Sequence, residues 1–178
     1  MRFKATIMDE EQMWRAVIRM GHEIIEHNRG AANLVLVGIE SRGVPLAKEL
    51  AQIIRNVEGR EVPCGSLRIS YRNEAEQRSD TPLLKRTELP FPITGATVVL
   101  VDDVLHTGRT VREALEALAR TGRPKAIQLA VLVDRGGREL PIGADYVGKT
   151  VPTSRNELVS VSVKEIDGKN GVDILSID

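Results

Sequence analysis

Three continuous runs of apolar residues, each followed by polar residues, set the pattern of this chain. The runs are 34–39 (LVLVGI), 98–101 (VVLV) and 126–133 (AIQLAVLV). Runs of this length without polar interruption are typical of strands that are buried on both faces of a parallel sheet. Because segments with helical spacing separate the runs, the chain is predicted to be an α/β protein with a mostly parallel central sheet flanked by helices.

The remaining elements are predicted from the spacing of apolar residues and from stop signals. A first helix should follow Asp9, a candidate N-cap, and end at Asn28-Arg29-Gly30. Two further helices are predicted over 44–55 and 111–120. Shorter strands are predicted at 62–69, 146–151, 158–163 and 172–177, the last two joined as a hairpin through an Asn-Gly link.

The segment from Val98 to Thr110, VVLVDDVLHTGRT, combines a strand, an acid pair and the start of a helix. Its turn carries two hydroxyls and a glycine, and the first N–H groups of a helix favour an anion such as phosphate. The carboxylates of Asp102 and Asp103, at the carboxyl end of the strand, suit sugar hydroxyls or Mg²⁺. An isolated acid pair would more simply end a strand, and Thr110 would more simply cap a helix. With all parts in register, a sugar-phosphate site is the stronger interpretation.

This segment resembles the phosphoribosyl diphosphate (PRPP) motif of the type I phosphoribosyltransferases. The resemblance implies their fold in a single domain over 1–178, with a flexible lid hairpin at about 70–90 and a small hood formed by the C-terminal strands. It also implies that Asp102 and Asp103 hold the ribose hydroxyls while the turn grips the 5′-phosphate. The other substrate-binding residues that it implies are Val104, Leu105, His106, Thr107, Gly108, Arg109 and Thr110.

The same resemblance assigns roles to three other segments. Ser41-Arg42-Gly43 follows the first apolar run, where the family binds pyrophosphate, and Arg42 would supply a positively charged fork. Lys85 and Arg86, near the return of the lid, would add charge at the pyrophosphate, although an idle surface hairpin fits them nearly as well. Arg135, after the third run, would contact ligand near the base or point to solvent.

The resemblance further implies a reaction in which pyrophosphate leaves C1 of the ribose while a base nitrogen attacks. Mg²⁺, bound through PRPP and through Asp102 or Asp103, would neutralise the leaving group. Asp102, Asp103 and Arg42 are therefore the predicted catalytic residues, and no general base is assigned.

Nearly the whole chain also resembles one bacterial subgroup of this family, the bifunctional pyrimidine regulators. The stretches that carry the resemblance include LVGIESRG, VVLVDDVLHTGRT and RPKAIQLAVLVDRGGRELPIGADYVGKTVPTS. It implies two activities: conversion of uracil and PRPP to UMP and diphosphate, and binding of pyrimidine-operon leader RNA in the presence of UMP or UTP. It also implies a homodimer or higher oligomer, with RNA-binding residues Arg19, His22, Arg138 and Lys149. Arg15, on the same face of the first helix as Arg19 and His22, is a further candidate for phosphate contact.

Two alternatives to this assignment stay open. The chain could be a phosphoribosyltransferase for another base, such as hypoxanthine or guanine, without an RNA-binding role. The basic face of the first helix could simply be solvated.

Composition excludes several other classes of protein. Lys+Arg and Asp+Glu both number 25, so no global charge drives the chain toward nucleic acid or membrane, although a local basic face remains compatible with RNA. The single cysteine, Cys64, provides neither an internal disulfide nor a cysteine-based metal cluster. A Walker A sequence and a strand-linked Gly-x-Gly-x-x-Gly are both missing, which argues against P-loop NTPases and dinucleotide oxidoreductases. Without a signal-peptide core or a bilayer-length apolar run, a cytoplasmic protein is expected.

Overall fold

The computed structural model describes residues 1–69 and 89–177. Within these residues the strands form one five-stranded parallel sheet and one three-stranded antiparallel sheet. In chain order the strands are β1 (Arg2–Met8), β2 (Leu34–Ile39), β3 (Cys64–Leu67), β4 (Thr97–Leu105), β5 (Ala126–Asp134), β6 (Tyr146–Thr150), β7 (Glu157–Ser162) and β8 (Gly171–Ser176). The parallel core sheet has the order β3-β2-β4-β5-β6, and the antiparallel hood sheet has the order β1-β8-β7.

The helices are α1 (Glu10–Asn28), α2 (Gly43–Glu58), α3 (Arg109–Thr121) and the short α4 (Lys164–Asp167). Asp9 caps α1 as predicted: its carboxylate accepts a hydrogen bond from the Gln12 N–H at 2.8 Å, and the Gln12 side chain accepts one from the Asp9 N–H at 3.0 Å. The predicted stop is also confirmed, because Arg29 ends the helix in the left-handed conformation with φ 55°.

The core sheet is buried on both faces, as its apolar runs predict. Consecutive residues of β4 point to opposite faces: Val99 and Val101 pack in one cluster with α1 and α2, whereas Val98 and Leu100 pack in a second cluster with α3. All four are at most 1% exposed. The predicted α/β fold with a parallel sheet between helices is therefore confirmed.

The prediction of which strands form the hood was wrong for two strands. The strand at 146–150 joins the core sheet, parallel to β5, and buried Tyr146 donates its hydroxyl hydrogen to the Gln128 side chain of β5 at 2.7 Å. Its place in the hood is taken by β1, which was not predicted and pairs with β8. Residues 2–7 of β1 do alternate polar and apolar side chains, so the period-two signal of a strand was present and the prediction overlooked it.

The predicted hairpin of the last two strands is confirmed, since β7 and β8 pair antiparallel. Their connection differs from a simple turn, because it begins with helix α4. The strand predicted at 62–69 is shorter and covers Cys64–Leu67. Most of the predicted lid, with Lys85 and Arg86, lies outside the described residues. Across 1–69 and 89–177, none of the helices has the length and apolar character needed to cross a bilayer.

Candidate active site

The acid pair lies at the carboxyl end of the central strand. Strand β4 continues past its apolar run through Asp102 and Asp103 to Leu105. Asp102 is buried, with 8% of its surface exposed, and its carboxylate accepts a hydrogen bond from the Asp103 N–H at 2.9 Å. Burial, and then repulsion from Asp103, raises the pKa of Asp102 well above its ordinary value. A cation or a set of hydroxyl donors beside the pair would offset this cost.

Because Asp102 is buried beside a like charge, we expect Asp102→Asn to stabilise the ligand-free protein while lowering its activity. A carboxyl group whose pKa is raised in the folded state destabilises that state as the pH rises above its ordinary value of 3.8 toward the raised value. Asparagine does not ionise, so it avoids this loss of stability, and its side-chain oxygen can still accept a hydrogen bond from the Asp103 N–H. The urea midpoint of the variant should therefore exceed that of the wild type at pH 7, and the difference should vanish in acid. A lower midpoint at pH 7 would contradict the expectation.

The turn that follows the acid pair is braced from one side. Gly108 precedes α3 with φ 92°, and no side chain caps the helix. The Thr107 carbonyl accepts hydrogen bonds from the N–H groups of Glu139 at 3.0 Å and Leu140 at 3.1 Å, which fixes the turn against the loop after β5. The first turn of α3 contains no acidic residue, so the positive end of the helix suits a phosphate.

The Ser41-Arg42-Gly43 turn packs directly against β4. A Cβ atom on Gly43 would lie 2.3 Å from the Val101 carbonyl oxygen and 3.2 Å from the Cα of Asp102, so only glycine allows this approach. Ser41 is exposed, and the peptide bond that precedes it is cis. The structure thus brings together, at adjacent strands β2 and β4, two segments that the sequence singles out separately.

Arg42 is held by a residue that sequence reasoning missed. Its Nε donates to one carboxylate oxygen of Asp167 at 3.1 Å and its Nη2 to the other at 2.8 Å. These hydrogen bonds raise the pKa of Arg42 and lower the pKa of Asp167. In the sequence, Asp167 reads only as part of a polar hairpin link, and nothing local connects it to Arg42.

Arg135, next to the end of β4, is buried instead of pointing to solvent. It is 7% exposed, its N–H donates to the Leu105 carbonyl at 3.0 Å, and its Nη2 donates to the Ser154 carbonyl at 3.1 Å. Its Nε is buried without a hydrogen-bond partner among the described residues. Burial lowers the pKa of Arg135.

His106 lies between the phosphate turn and the loop after β5. A Cβ atom on Gly137 would lie 2.8 Å from its Nε2, so the ring occupies space that a larger residue at 137 would fill. Burial, and then the charge of Arg135, lowers the pKa of His106, which favours a neutral imidazole. The predicted RNA-binding residue Arg138 braces the same region, donating to the carbonyls of His106 at 2.9 Å and Ile142 at 2.7 Å and to the Asp134 carboxylate at 2.6 Å.

Three of the five predicted RNA-binding residues line one groove between α1 and β6. Arg15, Arg19 and Lys149 surround an open volume of about 360 Å³, which we call the basic groove. The Arg19 Nη2 donates to the carbonyls of Val147 at 3.2 Å and Gly148 at 2.6 Å, and the Lys149 Nζ donates to the Ile7 carbonyl at 3.1 Å. His22 is exposed on α1 but does not line this groove, and neither does Arg138.

Comparison with known proteins supports the assignment of the fold and the family. A family model described as a phosphoribosyl transferase domain matches residues 5–166. The bifunctional protein PyrR of Acetivibrio thermocellus is 57% identical over 176 residues, covering 98% of this chain and 96% of that protein. The bifunctional protein PyrR of Clostridioides difficile is 57% identical over 172 residues, covering 96% and 97%. The chain belongs to the PyrR family of phosphoribosyltransferases.

Solved structures outside the PyrR family share the fold. The hypoxanthine phosphoribosyltransferase of Trypanosoma cruzi superposes with a TM-score of 0.74 at 18% identity, covering 99% of this chain and 98% of that one. A hypoxanthine-guanine phosphoribosyltransferase of Bacillus anthracis gives a TM-score of 0.73 at 20% identity, covering 99% of both chains. At this identity the likeness establishes the type I phosphoribosyltransferase fold and leaves the choice of base open.

The acid pair of this PyrR family member fits a shared rather than an enclosed magnesium ion. Among the described residues no group of three or more His, Cys, Asp or Glu side chains is placed to hold a metal. Mg²⁺ favours octahedral oxygen coordination and is commonly held by one or two carboxylates together with phosphate oxygens and water. Asp102 and Asp103 would supply the carboxylate ligands beside a phosphorylated substrate.

Proposed function

We propose that the chain transfers the phosphoribosyl group of PRPP to uracil, forming UMP and diphosphate, and that it regulates pyrimidine operons by binding their leader RNA. The enzymatic proposal rests on one observation above all: the Ser41-Arg42-Gly43 turn packs on β4 beside the acid pair, and the uncapped start of α3 follows it. Groups suited to diphosphate, ribose and 5′-phosphate thus follow the carboxyl ends of the adjacent strands β2 and β4.

In the proposed mechanism the chain mainly orients PRPP and stabilises charge. The turn from His106 to Thr110 anchors the 5′-phosphate, and Asp102 and Asp103 hold the ribose hydroxyls, which converts binding into orientation. As the bond from C1 to diphosphate breaks, positive charge develops on the ribose, and the two carboxylates stabilise it. Arg42 binds the departing diphosphate. When bound, Mg²⁺ neutralises charge on the phosphate oxygens.

We propose that the loop that contains Arg135 faces the base of the substrate. Arg135 lies close enough to His106 to lower its pKa, and Gly137 of the same loop packs against the His106 ring. Lys85 and Arg86 are proposed to approach the diphosphate from the lid.

The enzymatic proposal is tested by measuring UMP and diphosphate formation from PRPP and Mg²⁺ with a panel of bases. We expect uracil to react and hypoxanthine and guanine not to react. Reaction with a purine base alone would support the alternative assignment, and no reaction with any base would overturn the enzymatic proposal.

The regulatory proposal draws support from the family and from the basic groove. The described residues that line the groove include Arg15, Arg19 and Lys149 and no acid, which suits the phosphates of a nucleic acid. Arg15 and Arg19 also pair with the exposed Glu11 and Glu23 on α1, and such surface pairs are weak. We propose that a homodimer, or a higher oligomer, joins such surfaces, with His22 and Arg138 at their margins. Both activities would take place in the cytoplasm.

The two activities are proposed to be linked through the nucleotide. If UMP or UTP in the active site strengthens RNA binding, RNA must strengthen nucleotide binding by the same factor. Gel-shift measurements with leader RNA, with and without UMP, test this link. Equal RNA affinity in both conditions would contradict it.

A further inference from the structure

Helix α4 of the hood is attached to the diphosphate turn and α2 by charged groups. None of its four residues is buried, so apolar packing does not hold it in place. Two ion pairs connect it to the core: Asp167 pairs with Arg42, and Glu165 pairs with Lys48 at 3.3 Å. Only the first of these pairs involves a residue of the proposed active site.

The geometry of the Arg42–Asp167 pair fixes both partners. The carboxylate receives Nε and Nη2, so it meets the side of the guanidinium instead of its end. The Asp167 carboxylate is itself anchored, because it accepts the Val163 N–H at 2.8 Å. A rigid backbone donor thereby defines where the guanidinium lies.

This arrangement leaves part of Arg42 available for a second anion. A guanidinium has five N–H groups, and a side-on carboxylate engages two of them. The Nη1 of Arg42 has no hydrogen-bond partner in the described part of the chain. Arg42 also lies close enough to the acid pair for the charge of Asp103 to contribute to its raised pKa.

We propose that Asp167 is a positioning residue for phosphoribosyl transfer, which holds Arg42 side-on so that its Nη1 end meets the diphosphate of PRPP. The proposal rests on the proposed function of the Ser41-Arg42-Gly43 turn. An arginine ordered before the ligand arrives loses less side-chain freedom on binding than one that the ligand must order. Asp167 also offsets part of the positive charge of Arg42. Ordering Arg42 therefore raises the affinity for diphosphate, whereas the offset of its charge lowers that affinity. We infer that the gain from ordering Arg42 outweighs the loss of charge, since the N–H groups at the Nη1 end stay available to the diphosphate.

The test compares Asp167→Asn with Glu165→Gln, which removes one charge from the same helix without touching Arg42. We expect Asp167→Asn to raise the KM for PRPP and the Kd for inorganic diphosphate about tenfold, the effect expected for losing the hydrogen bonds of a charged pair. The KM for uracil and kcat should stay within about twofold, because ribose and base contacts are intact. Glu165→Gln should match the wild type in all four constants.

A double-variant cycle separates positioning from a general effect on the hood. The lysine of Arg42→Lys keeps the positive charge, but it has no planar guanidinium that one carboxylate could hold through two N–H groups. In the Arg42→Lys background, Asp167→Asn should change diphosphate affinity by less than about twofold, because the coupled partner is gone. A full tenfold loss there would show that Asp167 acts through the fold and would overturn the proposal, as would unchanged or tighter diphosphate binding by Asp167→Asn alone.

The same measurements distinguish failure of this proposal from failure of the proposed function. A wild type that forms no UMP but binds diphosphate overturns the enzymatic proposal and still allows the Asp167 comparison by titration. A wild type that does not bind diphosphate overturns both. Should Asp167→Asn not fold, Asp167→Glu replaces it: the longer side chain displaces the carboxylate, and an unchanged Kd for diphosphate would contradict positioning.

Discussion

Asp103→Asn is expected to lower kcat/KM for PRPP by about a hundredfold or more, the range typical of removing one preorganised electrostatic group from an active site. Asp103 is the half-buried member of the acid pair, so it is the carboxylate with better access to the ribose. Asparagine keeps the size and one oxygen but loses the charge that would stabilise the developing positive charge at C1. Initial rates of UMP formation over a range of PRPP concentrations measure the effect.

The matched control for this prediction is Glu116→Gln, which removes one exposed carboxylate from α3, far along the helix from the phosphate turn. Its kinetic constants should equal those of the wild type. Asp103→Asn should keep wild-type RNA affinity in the absence of nucleotide, which would show that the fold is intact. Near-normal UMP formation by Asp103→Asn would mean that the acid pair does not act on the ribose.

Much of the candidate active site was predictable because its parts lie at the ends of parallel strands. The carboxyl ends of such strands meet at one edge of a sheet, so Arg42 after one apolar run and Asp103 after another were expected to converge. The structure confirms that convergence, since Gly43 packs on the backbone of β4. The strand–helix alternation predicted the core sheet for the same reason: each run buries side chains on both faces.

The partners across the hood were not predictable from local spacing. Asp167 is 125 residues from Arg42 in the chain, and its polar surroundings are those of an ordinary surface turn. Strand β1 was missed although residues 2–7 alternate polar and apolar side chains, and its partner β8 lies at the other end of the chain. The strand at Tyr146 was assigned to the wrong sheet because a short run does not specify its neighbour, which here is β5.

For RNA binding, the double variant Arg15→Gln/Lys149→Gln is expected to lower leader-RNA affinity about ten- to a hundredfold at low salt, because two phosphate contacts and their released counterions are lost. These two residues hold fewer backbone groups than Arg19: the Arg19 guanidinium donates to the carbonyls of Val147 and Gly148, whereas Lys149 donates to the Ile7 carbonyl. Arg15 pairs with exposed Glu11 one helical turn away, and a surface pair of this kind is easily exchanged for a phosphate.

The salt dependence of binding gives the sharper measurement. Each lost phosphate contact should reduce the slope of log affinity against log salt by about 0.7 for single-stranded and about 0.9 for duplex segments. The control, Arg120→Gln/Lys125→Gln, removes the same two charges from exposed positions outside the basic groove. It should leave both affinity and slope close to those of the wild type, and UMP formation should be unaffected in either double variant.

These comparisons separate a defined RNA surface from a diffuse charge effect. If both double variants weaken binding equally, net charge and not the basic groove determines affinity. If neither does, RNA binds elsewhere on the chain or on its dimer. Suppose that only Arg15→Gln/Lys149→Gln weakens RNA binding, and by the same factor with and without UMP. Then the basic groove contacts RNA directly and the nucleotide acts through a separate step. If these residues carried the nucleotide signal, their replacement would lower RNA affinity by different factors in the two conditions.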